Sequence, residues 1–206
     1  MTESLGVLIQ RAAVASTGAL PESTVDALST WMERIERWNT RMDLTAARSR
    51  EELVDLMLVD ALILGARIPR DVRLVDVGTG AGAPGLALAV LRPDLHVTLV
   101  EPLGKRASFL STEAGVLGRR DVTIERARGE AMIARAPWDV AVSRATLSPD
   151  EWLELGIRLV GTDGCVWVLL GKGDVPVHAG WRVAEELAYR WPLTGALRRG
   201  LGFRRG

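Results

Sequence analysis

The segment LVDVGTGAGAPG (residues 74–85) constrains this chain more than any other. A short apolar run ends at Val77 and passes into four glycines, Gly78, Gly80, Gly82 and Gly85, within eight residues. Glycines at that point let the backbone turn sharply and let a ligand approach the main chain with no Cβ in the way. Strand, tight turn and helix in that order place the turn at the carboxyl edge of a parallel sheet, where open α/β sheets bind their ligands. Gly80, Gly82 and Gly85 satisfy G-x-G-x-x-G, so a nicotinamide dinucleotide is one candidate ligand. Against it, Ala83 and Pro84 stiffen the turn where a dinucleotide-binding helix would offer free N–H groups to a pyrophosphate. No residues for hydride chemistry stand out downstream, and the phosphate-loop pattern G-x-x-x-x-G-K-S/T is absent. Glu101 closes the next apolar run, HVTLVE, where a carboxylate can accept both ribose hydroxyls of a nucleoside. Loop and acid together imply a nucleoside-containing ligand and leave its identity open.

The rest of the chain divides into two regimes. Up to about Ile68 apolar residues recur at helical spacing. Val25, Leu28, Met32, Ile35 and Trp38 make one buried face after Pro21, Glu22 and Ser23 open the helix. Leu5, Leu8, Ile9 and Ala12 indicate a shorter helix before it, and a third is predicted over 51–64, ended by Gly65 and Pro69. From Arg73 short apolar strands alternate with amphipathic helices. Strands are predicted at 74–77, 96–100, 122–125, 139–142 and 165–170, and helices at 84–91, 105–117 and 149–160. That alternation implies right-handed βαβ units and a parallel sheet covered on both faces. Two further strands, 182–191 and 197–204, would pair through a turn at 192–195, with Leu201 and Phe203 on one face and Gly200 and Gly202 weakening the other. The expected fold is α/β and Rossmann-like: a seven-stranded, mostly parallel sheet (69–206) with a small N-terminal helical cap (1–68).

Formal charges cancel, with 26 Lys and Arg against 26 Asp and Glu, so a nucleic-acid partner would need a local basic patch. Nearly all the positive charge is arginine; Lys105 and Lys172 are the only lysines. The single cysteine, Cys165, sits in an apolar run and can form no internal disulfide, which fits a reducing compartment. No apolar stretch reaches the length of a membrane span, and the longest, 56–64, is interrupted by Asp60. The first ten residues carry an acid and show neither a basic leader nor a cleavage site. A cytoplasmic monomer with no membrane attachment and no metal is the expectation.

Beyond the loop the chain resembles the family of small-subunit ribosomal RNA guanine-N7 methyltransferases, also called glucose-inhibited division protein B. The likeness begins at WNTRMDLT (38–45) and runs through DVGTGAGAPG, RPD and LGKR (103–106) to VSRA (142–145) and LLGKG (169–173). The resemblance implies a class I methyltransferase fold, S-adenosylmethionine as the methyl donor, and small-subunit ribosomal RNA or the 30S subunit as the partner. It implies a donor site that includes Asp76, Gly78, Thr79, Gly80, Gly82, Ala83, Glu101, Gly129, Glu130 and Arg144. Asp76 would fix the loop and the amino-acid end of the donor, Gly129 and Glu130 would flank the adenine, and Arg144 would sit near donor and guanine.

Arg144 and Asp60 are the candidate catalytic residues. Lys105, Arg106, Lys172 and the tail arginines Arg198, Arg199, Arg204 and Arg205 are the candidate RNA contacts, through phosphates. The helical spacing of Trp38 gives it a core role ahead of stacking on a base.

The chemistry agrees by exclusion. Exocyclic amine methylation usually accompanies an Asn/Asp-Pro-Pro-aromatic motif after strand four, where this chain has Ser143, Arg144 and Ala145. Pyrimidine C5 methylation needs a nucleophilic cysteine, and Cys165 is predicted inside a buried strand. Guanine N7 carries a free lone pair and needs no general base, only alignment with the donor methyl. Two stretches depart from the family pattern. Its Arg-His-x-x-Asp-Ser cluster is here Leu56, Met57, Leu58, Val59, Asp60 and Ala61, which keeps only the aspartate, and Asp43 replaces the usual Asn. Both lie on the acceptor side, so another acceptor, or a non-catalytic ribosome-binding or RNA-binding role, remains beside the main expectation.

Overall fold

Alternation along the strands builds the architecture. In β1 (Arg73–Val77) Leu74 turns to one face of the sheet and Val75 and Val77 to the other; in β5 (Val160–Leu170) Cys165 and Trp167 turn one way and Val166 and Val168 the other. Apolar residues on both sides of a strand require cover on both faces. The computed structural model, which describes residues 3–206, supplies it.

One face is covered by α1 (Leu5–Ser16), α2 (Glu22–Met42), α3 (Arg50–Val54), α4 (Asp60–Gly65), α5 (Gly85–Leu91) and α6 (Gly104–Val116). The other is covered by α7 (Pro149–Leu159) and a 3₁₀ segment, Gly129–Arg135. The strands β2 (His96–Val100), β3 (Thr123–Glu125), β4 (Trp138–Ser143), β6 (Trp181–Arg190) and β7 (Leu197–Arg205) complete a seven-stranded sheet in the order β3-β2-β1-β4-β5-β7-β6. Strands β1 to β5 run parallel, and β7 is antiparallel to both β5 and β6.

Strand order reverses between β1 and β4, so the loops leaving those two strands diverge and open a crevice at their carboxyl ends. Val77 pairs with Val100, and Asp76 with Val142, which brings the ends of β1, β2 and β4 level beneath that crevice. The helices before β1 share one continuous core with the sheet, from Leu8 and Trp31 to Leu74 and Trp167.

Two differences from the sequence reading have clear physical causes. The predicted third helix is interrupted: between α3 and α4 the turn Asp55–Val59 is π-helical. Its buried Asp55 carboxylate accepts from Leu193 N (3.3 Å), Thr194 N (2.8 Å) and Thr194 Oγ1 (2.8 Å), tying the cap to the β6–β7 turn. Of Gly200 and Gly202, expected to weaken their face of β7, Gly202 instead makes room for the Trp167 ring. A Cβ on Gly202 would lie 3.2 Å from Trp167 Cη2 and 3.4 Å from Cys165 Sγ. Gly202→Ala is therefore expected to destabilise the fold by about 1–2 kcal/mol through overpacking, read as a lower denaturant midpoint at unchanged slope. Among the described residues no helix is long and apolar enough to cross a membrane.

Candidate functional site

Three features converge on the crevice. The first is the glycine loop. Gly78 N donates to Val100 O (2.8 Å), and its φ of +72° places it where an L side chain is strained. A Cβ there would lie 2.2 Å from Thr146 Oγ1. Gly80, at φ +60°, faces open space, so its backbone is bare to the cavity. Behind the loop Asp76 is fully buried, and its Oδ2 accepts from Gly85 N at 2.8 Å, pinning the start of α5. Burial pushes its pKa up to about 6, against smaller lowering effects from Thr79, Gly85 N and the positive charge of Arg144. Asp76 Oδ1 and Thr79 Oγ1 are both buried without a formed hydrogen bond.

The second feature is Glu101 at the end of β2. Its Oε2 accepts from Gly80 N (3.1 Å) and its Oε1 from Leu103 N (2.9 Å). The carboxylate thus clamps the glycine loop to the start of α6 and keeps lone pairs in reserve, since an ionised carboxylate has about four acceptor sites. The loop, Glu101 and the segment Leu44, Thr45 and Ala46 enclose a cavity of about 510 Å³, the size range of small-molecule sites. That segment is held by Asn39, whose Oδ1 accepts from Leu44 N (2.7 Å) and Thr45 N (2.8 Å). Asp43 itself has φ +50°, a left-handed conformation that Asn and Asp both tolerate, so this departure keeps the backbone requirement. A narrower slot of about 240 Å³ continues from the cavity past Pro102 and Leu103 to Gly129 and Glu130. Gly129 is required there by close approach: a Cβ would lie 2.7 Å from Val77 Cγ1 and 2.8 Å from Leu155 Cδ2.

The third feature is Arg144 after β4. Ser143 Oγ donates to Val77 O (2.7 Å), locking the end of β4 to that of β1, and Ala145 turns the chain at φ +54°. Arg144 Nη1 donates to Leu56 O and to Asp60 Oδ2, the latter at 3.1 Å. Asp60 is 2% exposed, and its Oδ1 also accepts from Tyr189 Oη (2.7 Å) and Trp191 Nε1 (3.1 Å). Burial, and then the Asp60 charge, push the Tyr189 phenol well above its ordinary range, so it stays a donor. Arg144 lines both the loop cavity and a second cavity of about 330 Å³, which reaches Lys172, Trp191 and Arg198.

The structure therefore brings Gly78, Thr79, Gly80, Ala83, Glu101 and Arg144 onto one cavity wall, with Asp76 and Gly82 behind it. Gly82 N donates to Thr79 O (2.9 Å) inside the loop. Arg106 also lines this cavity, its Nη2 donating to Asp43 O (2.6 Å) and its Nε buried and unpartnered. Of the tail arginines, Arg198 lies over the Trp191 ring (3.7 Å to the centroid) beside the second cavity. Arg199 is instead paired with Glu186 at 2.8 Å, and Arg204 donates to Asp163 O at 2.7 Å. Tyr189, Trp191 and Leu56 O were not singled out in the sequence as partners of Asp60 and Arg144. The one available signal was that two aromatic residues with polar tips stand together where a strand runs into its turn.

The family model described as "GidB: rRNA small subunit methyltransferase G" matches residues 24–178. The chain belongs to this family. The Ribosomal RNA small subunit methyltransferase G of Methylobacillus flagellatus is 34% identical over 76% of this chain and 75% of its own length. That of Syntrophus aciditrophicus is 33% identical over 96% of this chain and 88% of its own. Among solved structures, a SAM-dependent methyltransferase from Geobacter sulfurreducens in complex with S-adenosyl-L-homocysteine superposes with a TM-score of 0.61 at 13% identity, covering 81% of this chain and 97% of that one. The fold is that of class I methyltransferases, as the sequence implied.

Proposed function

We propose that this chain transfers a methyl group from S-adenosylmethionine to N7 of a guanine in small-subunit ribosomal RNA. The observation that carries the N7 assignment is the acid–base content of the second cavity. Among the described residues Asp60 is the only carboxylate on its wall, and no His, Cys or Tyr lines it. That carboxylate already accepts from Arg144, Tyr189 and Trp191. A nucleophile that must lose a proton would find no free base there, whereas N7 has none to lose. Cys165 is excluded as a nucleophile, since burial pushes its thiol up to about 11.

The residues of the loop cavity suit the donor. Glu101 receives the ribose hydroxyls, the slot at Gly129 and Glu130 takes the adenine, and the bare backbone of Gly80 admits the methionine chain beyond the ribose. Arg106, with its buried free Nε, meets the carboxylate end. When bound, the donor supplies an electrophilic methyl on a positively charged sulfur. Arg144 spans the two cavities and orients the guanine, and Asp60 acts on it as a positioning residue. Lys172 and Arg198 take phosphates at the outer rim. We place the protein in the cytoplasm, acting as a monomer on ribosomal RNA or the 30S subunit.

The test uses purified protein, labelled donor, and either naked small-subunit RNA or assembled 30S subunits, followed by digestion to nucleosides. Label in 7-methylguanosine is the expected result. Label in any other nucleoside would move the acceptor, and donor binding with no transfer to either substrate would favour a non-catalytic role. Tight NADH binding without donor binding would overturn the reading altogether.

A further inference from the structure

A cavity of about 450 Å³ lies between α2 and α6, outside the site described above. Its apolar wall is Trp38, Met42 and Phe109. Its one acid among the described residues, Glu113, is fully buried and already neutralised, accepting from Arg34 Nε at 2.8 and 2.6 Å. The remaining charges on its wall are Lys105 and Arg126, both exposed. Neither has an ionic partner among the described residues, although arginines elsewhere, at 50, 92, 119, 135 and 199, are paired. Arg41 adds a third cation, 5.8 Å from the Trp38 ring centroid. The Arg126 guanidinium lies against Gly104, where a Cβ would be 2.8 Å from its Cζ.

Aromatic wall and unpaired cations together are the chemistry of a single-stranded nucleotide site: a base face for stacking and positive charge for its phosphates. The location fits as well. Leu103 lines the donor cavity and the next two residues, Gly104 and Lys105, line this one. In sheet order the acceptor cavity opens at β4 and β5, and this one adjoins α6, the helix that follows β2. An RNA strand with its target guanine beside Arg144 therefore has this cavity on the far side of the glycine loop from Lys172. The chain's only two lysines bracket that path.

We propose that this cavity holds a nucleotide of the substrate RNA flanking the methylated guanosine, its base against Trp38 and its phosphate between Lys105 and Arg126. The proposal rests on the RNA methyltransferase reading above and adds to it a specificity-determining contact away from the reacting atoms.

Arg126→Glu and Trp38→Leu test it in the full chain with a small-subunit RNA fragment. Each is expected to raise KM for RNA by about tenfold, the scale of one stacking or phosphate contact, with donor affinity unchanged. Arg126→Ala should also make the salt dependence of RNA binding shallower by about one charge. Unchanged KM and salt slope in the Arg126 variants would overturn the proposal even if Trp38→Leu proved unstable. So would binding of a polyglutamate peptide in place of RNA. If the parent protein transfers no methyl group to RNA, the function reading fails on its own. The salt titration, which needs no turnover, then still decides the cavity.

Discussion

Asp76→Asn is expected to stabilise the protein at pH 8 by about 2 kcal/mol and to weaken donor binding by about tenfold. Asp76 lies in a fully buried position with one oxygen on Gly85 N and the other unpartnered. Its pKa rises from the ordinary 3.8 to about 6 because burial disfavours the charge, and the negative charge of Glu101 adds to this. A folded-state pKa above the unfolded one means that ionising the group disfavours the fold. Below 3.8 both folded and unfolded chains are protonated here and the variant gains nothing. Its advantage grows as pH rises from 3.8 to about 6 and is complete above that. The full interval corresponds to about 3 kcal/mol, from which the weaker neutral hydrogen bond to Gly85 subtracts.

Asparagine can still accept from Gly85 N, and its amide can donate to the unpartnered Thr79 Oγ1. Alanine can do neither, so Asp76→Ala is expected to destabilise by about 2 kcal/mol below pH 3.8, through an orphaned buried N–H, and relief of the buried charge offsets that loss as pH rises to about 6. On the donor-site reading proposed above, an anion behind the loop attracts the net positive charge of the donor through protein rather than water. Donor affinity in the parent should therefore increase as pH rises through about 6, and the asparagine variant should lose that dependence. Thermal denaturation at pH 5 and pH 8, with donor titrations at both, checks each part. Equal stability gains at the two pH values would refute the buried-charge account.

How far the sequence reveals this molecule depends on the range over which each residue finds its partners. Helices and strands were legible because their signal is local. The run at 74–77 is a strand in a sheet covered on both faces, as predicted, and the hairpin at 182–204 pairs through the turn read from Pro192 to Gly195. The loop cavity was legible too, since its glycines, Thr79 and Glu101 lie within a single βαβ step. The π-helical turn was not, because a helical apolar pattern absorbs one wider turn without changing its character. Nor was the role of Gly202, which depends on the size of Trp167 one strand away. The network around Asp60 was the least legible: its partners stand 84, 129 and 131 residues away in sequence. The apolar residues at 56–59 looked like a lost polar cluster. In the fold, Leu56 contributes a backbone carbonyl to Arg144, a contribution independent of its side chain.

That network carries the second large effect. Asp60→Ala is expected to destabilise the protein by about 3–5 kcal/mol, since it strands the half-buried Arg144 charge and leaves two buried donors, Tyr189 Oη and Trp191 Nε1, without an acceptor. Methyl transfer should fall by about a hundredfold in kcat, because Arg144 then keeps only Leu56 O to fix its direction, and small misplacements of an orienting group are amplified in rate. Asp60→Asn separates the two effects. It keeps an acceptor for Tyr189 or Trp191 but removes the charge opposite Arg144, so stability should recover in large part while kcat stays depressed. Tyr189→Phe removes a single hydrogen bond and should destabilise by about 1 kcal/mol, with kcat lowered far less than in Asp60→Asn. Because the Tyr189 phenol stays protonated well beyond neutral pH, none of these differences should vary between pH 6 and pH 9. A positioning residue predicts loss in kcat with KM for donor nearly constant. If Asp60→Asn transferred methyl at the parental rate, Arg144 would be held by Leu56 O alone, and the aspartate would serve only to fasten the cap to the terminal hairpin through Tyr189 and Trp191.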